Sequence, residues 1–320
     1  MPVNASAAAT QWNCPNYVGE LYLIGANRTP FLNMIGGLQG GSIAIVKAFD
    51  FPVAQPWALE AAAQPAITET DSLTASTYLK TYVRGQDMNT VQIFEYAISA
   101  SYAKQSIPGA IYVSGAGNVM LGPQPVGSEL DFQAAATLQQ ASVDVEKTFL
   151  TGLYVSASSV STAAKSRGMT VAVTTSKINA SSGALTKALM DELFRTMAAA
   201  GAPFTNTVLF ANAFQKQKIS AIYGYAPEDR NIGGVNIKQI ETDFGMLGVV
   251  WSPHLTTSVV LAAELSVCKP VFCEVPGKGV LFRDTLAKVG AADTEMLYGQ
   301  IGLDHGPEEF HGQIYGLATS

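Results

Sequence analysis

The residue types best suited to chemistry gather near the C-terminus, where Asp304, His305, Glu308, Glu309 and His311 follow closely on one another. Imidazole nitrogens and carboxylate oxygens are common ligands of a divalent metal. Two histidines six residues apart, however, match neither the helical His-Glu-x-x-His pattern nor a common loop site, and Gly306-Pro307 between them makes a turn. The run reads as a polar turn between two strands, of a kind suited to a subunit contact, and no metal is expected. His254 is the one other histidine, so a hydrolase with a spatial Ser/His/Asp set would have to draw its base from these three. None stands in a recognisable catalytic setting. The glycines of 115–122 (GAGNVMLG) have the wrong spacing for a dinucleotide loop, and neither a P-loop nor a G-x-S-x-G elbow occurs. Glu241, Asp243 and Glu264 have no partner at a spacing that implies acid/base work. Lys165 with Arg167, and Lys278 with Arg283, are of a type that touches phosphate, but a solvated face or an intersubunit salt bridge explains them more simply. The expectation is a protein without catalytic, cofactor or metal residues, and not an enzyme.

The elements that would position any site centre on residues 128–152, SELDFQAAATLQQASVDVEKTFLTG. Leu130, Ala134, Leu138, Ala141, Val145 and Phe149 recur at steps of four or three, which is one face of an α-helix. Ser128 stands at the N-cap with Asp131 in the capping-box place, and Gly152 offers a left-handed stop. Such a helix is roughly 35 Å long. Its other faces carry Gln133, Gln139, Gln140, Asp144 and Lys147, so one side is expected to be committed to a core.

Hydrophobic residues make up 48% of the 320, and charged residues only 14%. A sizeable core is within reach, and the thin charge suits either extensive subunit contact or a plain neutral-surfaced monomer. A net charge of -6 without clustered Lys and Arg argues against a nucleic-acid-binding module. Cys14, Cys268 and Cys273 are odd in number and read as reduced thiols. The first ten residues lack a signal peptide's charged and apolar regions, and no apolar run approaches the ~20 residues of a membrane span. Cytoplasmic production or assembly is the expectation.

Along the chain, residues 1–42 scatter Trp12, Tyr17, Leu21, Leu23 and Phe31 among Asn, Gly and Pro, an arm that packs on its own domain or on a neighbour's surface. Residues 43–52 read as a strand ending at a proline, and 54–75 lack a strong period. Residues 77–84 and 90–99 alternate as strands. Together these suggest a long hairpin excursion with a polar tip, a feature that is usually functional or bound to a partner. After the long helix, 154–182 reads as loops with a short strand at 169–173. A second helix covers 185–200 with Gly201 as its stop, and a strand 207–210 follows. Asn212 then caps a third helix, 213–223, ending at Gly224. Strands follow at 235–242, 246–251, 258–264, 279–286, 294–303 and 312–317. The order is β-rich, long helix, α/β, β-rich: an α+β protein with a protruding hairpin.

In that order the parts resemble the major capsid proteins of tailed bacteriophages, with the HK97-like capsid fold. The resemblance rests on several runs taken together. These are the strand Gln92-Ile93-Phe94, the acidic spine with Glu146 and Gly152, the Leu185-Thr186 helix start, and the Asn-Ala-Phe-Gln-Lys helix at 212–216. IETDFG at 240–245 before a Val-Val strand, and HGQIYGL at 311–317, complete them. The family pattern implies an N-terminal arm (1–42) and an extended E-loop hairpin with flanking strands (43–100). It further implies a peripheral domain (101–184) with spine helix 128–152, an axial domain (185–269), and C-terminal strands (270–320) partly returning to the peripheral domain. Lys80 lies where a crosslinking lysine would fall, but its motif does not match and crosslinking is not carried over. The long N-terminal scaffolding segment of some members is lacking, which implies its removal or a separate scaffold.

What the resemblance implies is a shell subunit that self-assembles as hexamers and pentamers around double-stranded DNA, which a neutral or acidic inner face touches non-specifically. Portal, scaffold and decoration proteins are the other implied partners, with no membrane. Expected intersubunit contacts are Trp12 and Tyr17 in the arm, Phe49, Phe51 and Trp57 in the E-loop, and Tyr225, Arg230 and Asn231 around the symmetry axis. An encapsulin-type nanocompartment shell is the nearest alternative, and a soluble hydrolase the alternative from another class.

Overall fold

Two sheets, each too hydrophobic on its inner face to stand alone, share one core. The computed structural model describes residues 28–38, 44–54, 66–73, 85–105, 128–224, 239–288 and 290–319, with Trp57, Leu59, Ala62, Gln64 and Tyr82. In the first sheet β1 (Ala44–Val46) lies beside β10 (Lys269–Cys273), then β12 (Ala292–Asp304), which pairs with both β11 (Leu281–Thr285) and β4 (Gln92–Ser101). The length of β12 makes this possible. It meets β10 through Lys269↔Asp304, β11 through Leu281↔Gly299, and β4 from Ala292↔Ser101 to Ile301↔Gln92. The second sheet runs β5 (Lys177–Asn179), β13 (Gly312–Tyr315), β9 (Val260–Glu264), β6 (Thr207–Ala211), β8 (Gly245–Trp251), β7 (Gln239–Thr242). Its central strands β6 and β9 are buried along their whole length, hence the unbroken apolar runs Val208-Leu209-Phe210-Ala211 and Val260-Leu261-Ala262-Ala263. Residues 270–320 thus divide between the sheets, β10 to β12 in the first and β13 in the second.

After the short helices α1 (Pro30–Met34), α2 (Glu69–Leu73) and α3 (Tyr102–Gln105), helix α4 (Glu129–Thr151) starts where its cap predicts, with the Ser128 hydroxyl accepting the Asp131 N–H at 3.4 Å. Two expectations fail. Gly152 is extended (φ -60°, ψ 137°) rather than left-handed. Its missing Cβ serves close approach instead: a methyl there would lie 2.5 Å from the carbonyl oxygens of Thr148 and Ser166, and one on Gly168 would lie 2.5 Å from the Gly152 nitrogen. Nor is the whole stripe buried. Burial begins at Ala141 and continues through Val145, Glu146, Phe149 and Leu150. The earlier turns present Ala134, Ala135 and Ala136, which offer little apolar area to hold a helix down.

Helix α6 (Lys187–Ala199) has the Thr186 hydroxyl as acceptor for Leu189 and a left-handed Gly201 (φ 91°) beyond it. Asn212 before α7 (Ala213–Tyr223) does not cap with its side chain; its amide donates to the Leu255 carbonyl at 3.2 Å. The strand expected at 169–173 is a helical turn, α5 (Met169–Ala172), seated by Thr170 donating to the Leu150 carbonyl. The strand expected over 43–52 is broken at 47–49. Its first part joins the first sheet as β1, and its second, β2 (Asp50–Val53), pairs with β3 (Asp87–Thr90) in a separate two-stranded sheet.

The seam core contains Phe31 and Leu32 from α1 (Pro30–Met34), Val145, Phe149 and Leu150 from α4, and Phe94, Phe272 and Ile301 from the first sheet. Val208, Phe210, Leu261 and Ala263 enter it from the second. The opposite face of the second sheet packs on α6 through Met190, Leu193, Phe194 and Met197. Gly152→Ala or Gly168→Ala is expected to cost about 1–3 kcal/mol through forced backbone shifts. The check is the urea midpoint of the dissociated subunit, which should fall; an unchanged midpoint would show that the contact relaxes freely.

Candidate functional site

Within the polar run at 304–311 the two histidines are buried, whereas Asp304 and Glu308–Phe310 are half-buried. His305 is 1% exposed and His311 fully buried. His311 Nδ1 accepts the Glu264 N–H at 3.1 Å, so its Nε2 carries the proton and donates to the His305 carbonyl at 2.6 Å. Burial pushes His311 down to about 4 and lowers His305, so both rings are neutral near pH 7. The Glu264 carboxylate is filled by the Asn206 N–H, the Thr207 hydroxyl and the Ser266 hydroxyl. Glu308 accepts from the backbone and hydroxyl groups of Thr174 and Thr175. Through these bonds His311, Glu264 and Glu308 join β9, β13 and the turn between β12 and β13, while His305 Nε2 has no hydrogen-bond partner among the described residues. Among the described residues no group of His, Cys, Asp and Glu has the arrangement of a metal site. The basic residues also find partners within the chain: Arg167 pairs with Asp87 and lies 4.7 Å over the Tyr154 ring, Lys278 pairs with Asp284, and Arg283 bridges Glu295 and Asp131.

Another part of the described surface is apolar and exposed. Residues 50–53 and 87–90 pair antiparallel, Asp50↔Thr90 to Val53↔Asp87. Beyond this pair, the rings of Trp57 and Tyr82 meet edge-on at 5.9 Å. Around this excursion Trp57, Leu59, Ile67, Leu73 and Tyr82 are all exposed, Leu73 at 83%. That is a large apolar load for solvent to bear. Of the residues expected at contacts, Trp57 and Phe49 are exposed, at 57% and 37%. Phe51 is not. It is 3% exposed, enclosed with Val53, Val91 and Val271 in its own chain, because alternation along β2 turns residues 51 and 53 inward together. Trp12, Tyr17, Tyr225, Arg230 and Asn231, like Lys80 and Cys14, lie outside the described residues.

A groove of about 470 Å³ runs between β4 and α4, lined by Ile93, Glu95 and Tyr96 on one side and Asp144, Lys147 and Thr151 on the other. The Tyr96 hydroxyl donates to Asp144 at 2.7 Å across its floor, and burial together with that carboxylate raises the phenol's pKa. Sequence reasoning missed this groove, although the alternation of β4 marks Ile93 and Glu95 as outward-facing. It named Glu146 only as part of the acidic spine and missed its burial, which was readable from its position beside Val145 in the helical stripe.

The described residues thus present an exposed apolar stretch, a groove beside a long helix and two sheets on one core. The model of the SU10 major capsid protein family matches residues 3–318. The chain belongs to that family. No curated protein sequence matches this capsid protein. Solved structures give its fold. The capsid subunit of cyanophage A-1(L) is 12% identical, with a TM-score of 0.63 over 96% of both chains. The capsid of a native GTA particle is 11% identical, with a TM-score of 0.57 over 99% of both. The SrpI encapsulin of Synechococcus elongatus PCC 7942 is 11% identical, with a TM-score of 0.55 over 100% of this chain and 98% of that one. The fold is therefore the HK97-like capsid fold, and the capsid protein's function is to form a virion shell with copies of itself.

Because burial holds His311 below its ordinary value, its contribution to stability is complete above pH 6.5 and declines as pH falls toward 4. The drop in melting temperature from pH 7.5 to 5 is expected to be smaller in His311→Gln than in the parent. Equal drops would remove His311 from the acid response.

Proposed function

We propose that this chain is the major head protein of a tailed bacteriophage, built as hexamers and pentamers into an icosahedral shell around the double-stranded DNA genome. The observation that carries the reading is the family match across residues 3–318. The assembly takes place in the host bacterial cytoplasm, with portal, scaffold and decoration proteins as further partners, and the work is structural rather than catalytic. The peripheral and axial divisions at 101–184 and 185–269 serve the shell as wall and capsomer centre.

Within a capsomer, the excursion carrying Trp57, Leu59, Ile67 and Leu73 lies across the neighbouring copy, beside the groove formed by β4 and α4. Its exposed apolar side chains support that role, since covering them favours association by about 25 cal/mol per Å². Glu95, Asp144 and Lys147 give the receiving groove a mixed charged rim that suits orientation more than affinity. The net charge of -6 supports only non-specific contact with packaged DNA. An encapsulin-type compartment shares the fold and differs in cargo: nucleic acid inside purified shells supports the head protein, and an enzyme inside them supports the compartment.

Deleting residues 55–73, or replacing Leu59, Ile67 and Leu73 with Ser, is expected to abolish closed shells and tubes. Negative-stain microscopy with light scattering is the check. Shells of normal size from the deletion variant would overturn the role given to the excursion.

A further inference from the structure

Strand β4 forms one edge of the first sheet, with β12 as its partner from Gln92↔Ile301 to Ser101↔Ala292. In an antiparallel ladder alternate residues turn their N–H and C=O away from the partner strand. Along 92–99 none of these outward backbone groups is bonded among the described residues. The other edge strands of the two sheets are short: β1 and β5 have three residues, β7 four and β11 five, against ten in β4. Proteins keep edges from recruiting further strands by shortening them, or by Pro, Lys or a bulge. Strand β4 (QIFEYAISAS) has no Pro, Gly or Lys, and its register on β12 runs without a bulge.

The groove between β4 and α4 is where this edge opens. Consecutive residues of a strand point to opposite faces, yet residues 92–96 all line the groove. Five in a row can do so only through the strand's edge, its backbone. The facing wall is one side of α4, with Asp144, Lys147, Thr148 and Thr151 at i, i+3, i+4 and i+7. Just before the groove the edge is taken: Val91 donates its N–H to the Phe49 carbonyl at 2.9 Å, continuing the pairing of β2 with β3. The chain then bends at 47–49 and leads to β1, on the other side of the sheet. The line of β2 stops where the groove begins.

We propose that a second copy of this chain adds a strand to the open edge of β4, through residues 77–84 (TYLKTYVR) of its excursion. The inference rests on the reading of the chain as a shell subunit whose excursion crosses its neighbour, and adds that the contact is made by backbone pairing. Residues 77–84 are rich in Thr, Tyr, Leu and Val and free of Pro and Gly, whereas 54–66 carries Pro56 and Pro65. Alternation sets Tyr78, Lys80, Tyr82 and Arg84 on one face of such a strand, and Leu79, Thr81 and Val83 on the other. The first face adjoins Ile93, 48% exposed, and Glu95, whose carboxylate is exposed and complements Lys80 and Arg84 in charge. The second face meets α4 beside Thr148 and Thr151. Its remaining edge serves its own hairpin, where Tyr82 meets Trp57. Main-chain bonds supply the attachment and the two faces set its register.

The test is hydrogen exchange by mass spectrometry on assemblies of the whole chain, compared with the same subunits dissociated. Exchange across 92–99, and across 77–84 in the same samples, is expected to slow about tenfold on assembly, the worth of one net backbone hydrogen bond. Assemblies in which 92–99 exchanges as in the free subunit overturn the pairing and leave the excursion's role standing. Normal shells without residues 55–73 remove the underlying reading instead. The occupant is identified by mild oxidation of Glu95→Cys combined in turn with Tyr78→Cys, Lys80→Cys and Tyr82→Cys. At least one pair is expected to link copies above the level given by the parent's own cysteines. Protection of 92–99 with no such link, as when the arm or another protein covers the edge, overturns the choice of 77–84. Should the cysteine variants not fold, Thr81→Pro, which removes a backbone donor, is expected to prevent assembly while Thr81→Ala permits it. Assembly of Thr81→Pro at the parent's level overturns the proposal.

Discussion

Phe31, Phe149, Phe210 and Phe272 come from a short helix, a long helix and two different sheets, and all four are fully buried in one core. Neither sheet can complete that core without the other, and α4 supplies the wedge between them. A side chain of this size contributes roughly 1.5–3 kcal/mol on burial, so the seam outweighs any single hydrogen bond in the molecule. The other parts take their positions from it. Strand β12 is long because it must serve β4, β10 and β11 under the wedge, and β6 and β9 are apolar on both faces because a core lies on each side.

Packing of this kind says how much surface is buried but not which strand meets which. The buried polar groups add that selection. Asn89 donates to the Leu303 carbonyl at 2.7 Å and accepts the Arg167 N–H at 2.8 Å, fixing β3, β12 and the segment before α5 in one register. Gln215 on α7 donates to the carbonyls of Thr257 and Ala318, holding the end of the chain against its own sheet. A shift of any of these segments would strand a buried donor, which is costly. Acid chemistry acts on this layer through His311, whose place protonation weakens.

Much of this was legible in the residues. Ser128 and Thr186 announced their helices, and the alternation of Phe94, Ile98 and Ala100 announced the inner face of β4. What could not be read were the places where tertiary contact overrides local preference. Thr170, Val171 and Val173 favour a strand by type, yet residues 169–172 turn as a helix because α4 accepts Thr170 beneath its last turn. Strand β10 hides behind Pro270, a residue that argues against a strand interior. The contact surfaces were the least legible. An exposed phenylalanine and a buried one two positions apart, Phe49 and Phe51, differ only in which way the backbone faces after the bend at 47–49.

The close approach of Gly152 and Gly168 has a further meaning beyond the stability of α4. Together with the paired backbone bonds between Val155 and Lys165, it closes a neck below a serine-rich loop whose tip, Val160, is wholly exposed. A loop tied at its neck hides its length from everything beneath it, since extra residues at the tip change closure entropy by only about 0.6 kcal/mol per doubling. This loop is thus a natural insertion point, where foreign sequence can be carried on the subunit while the seam registers no change.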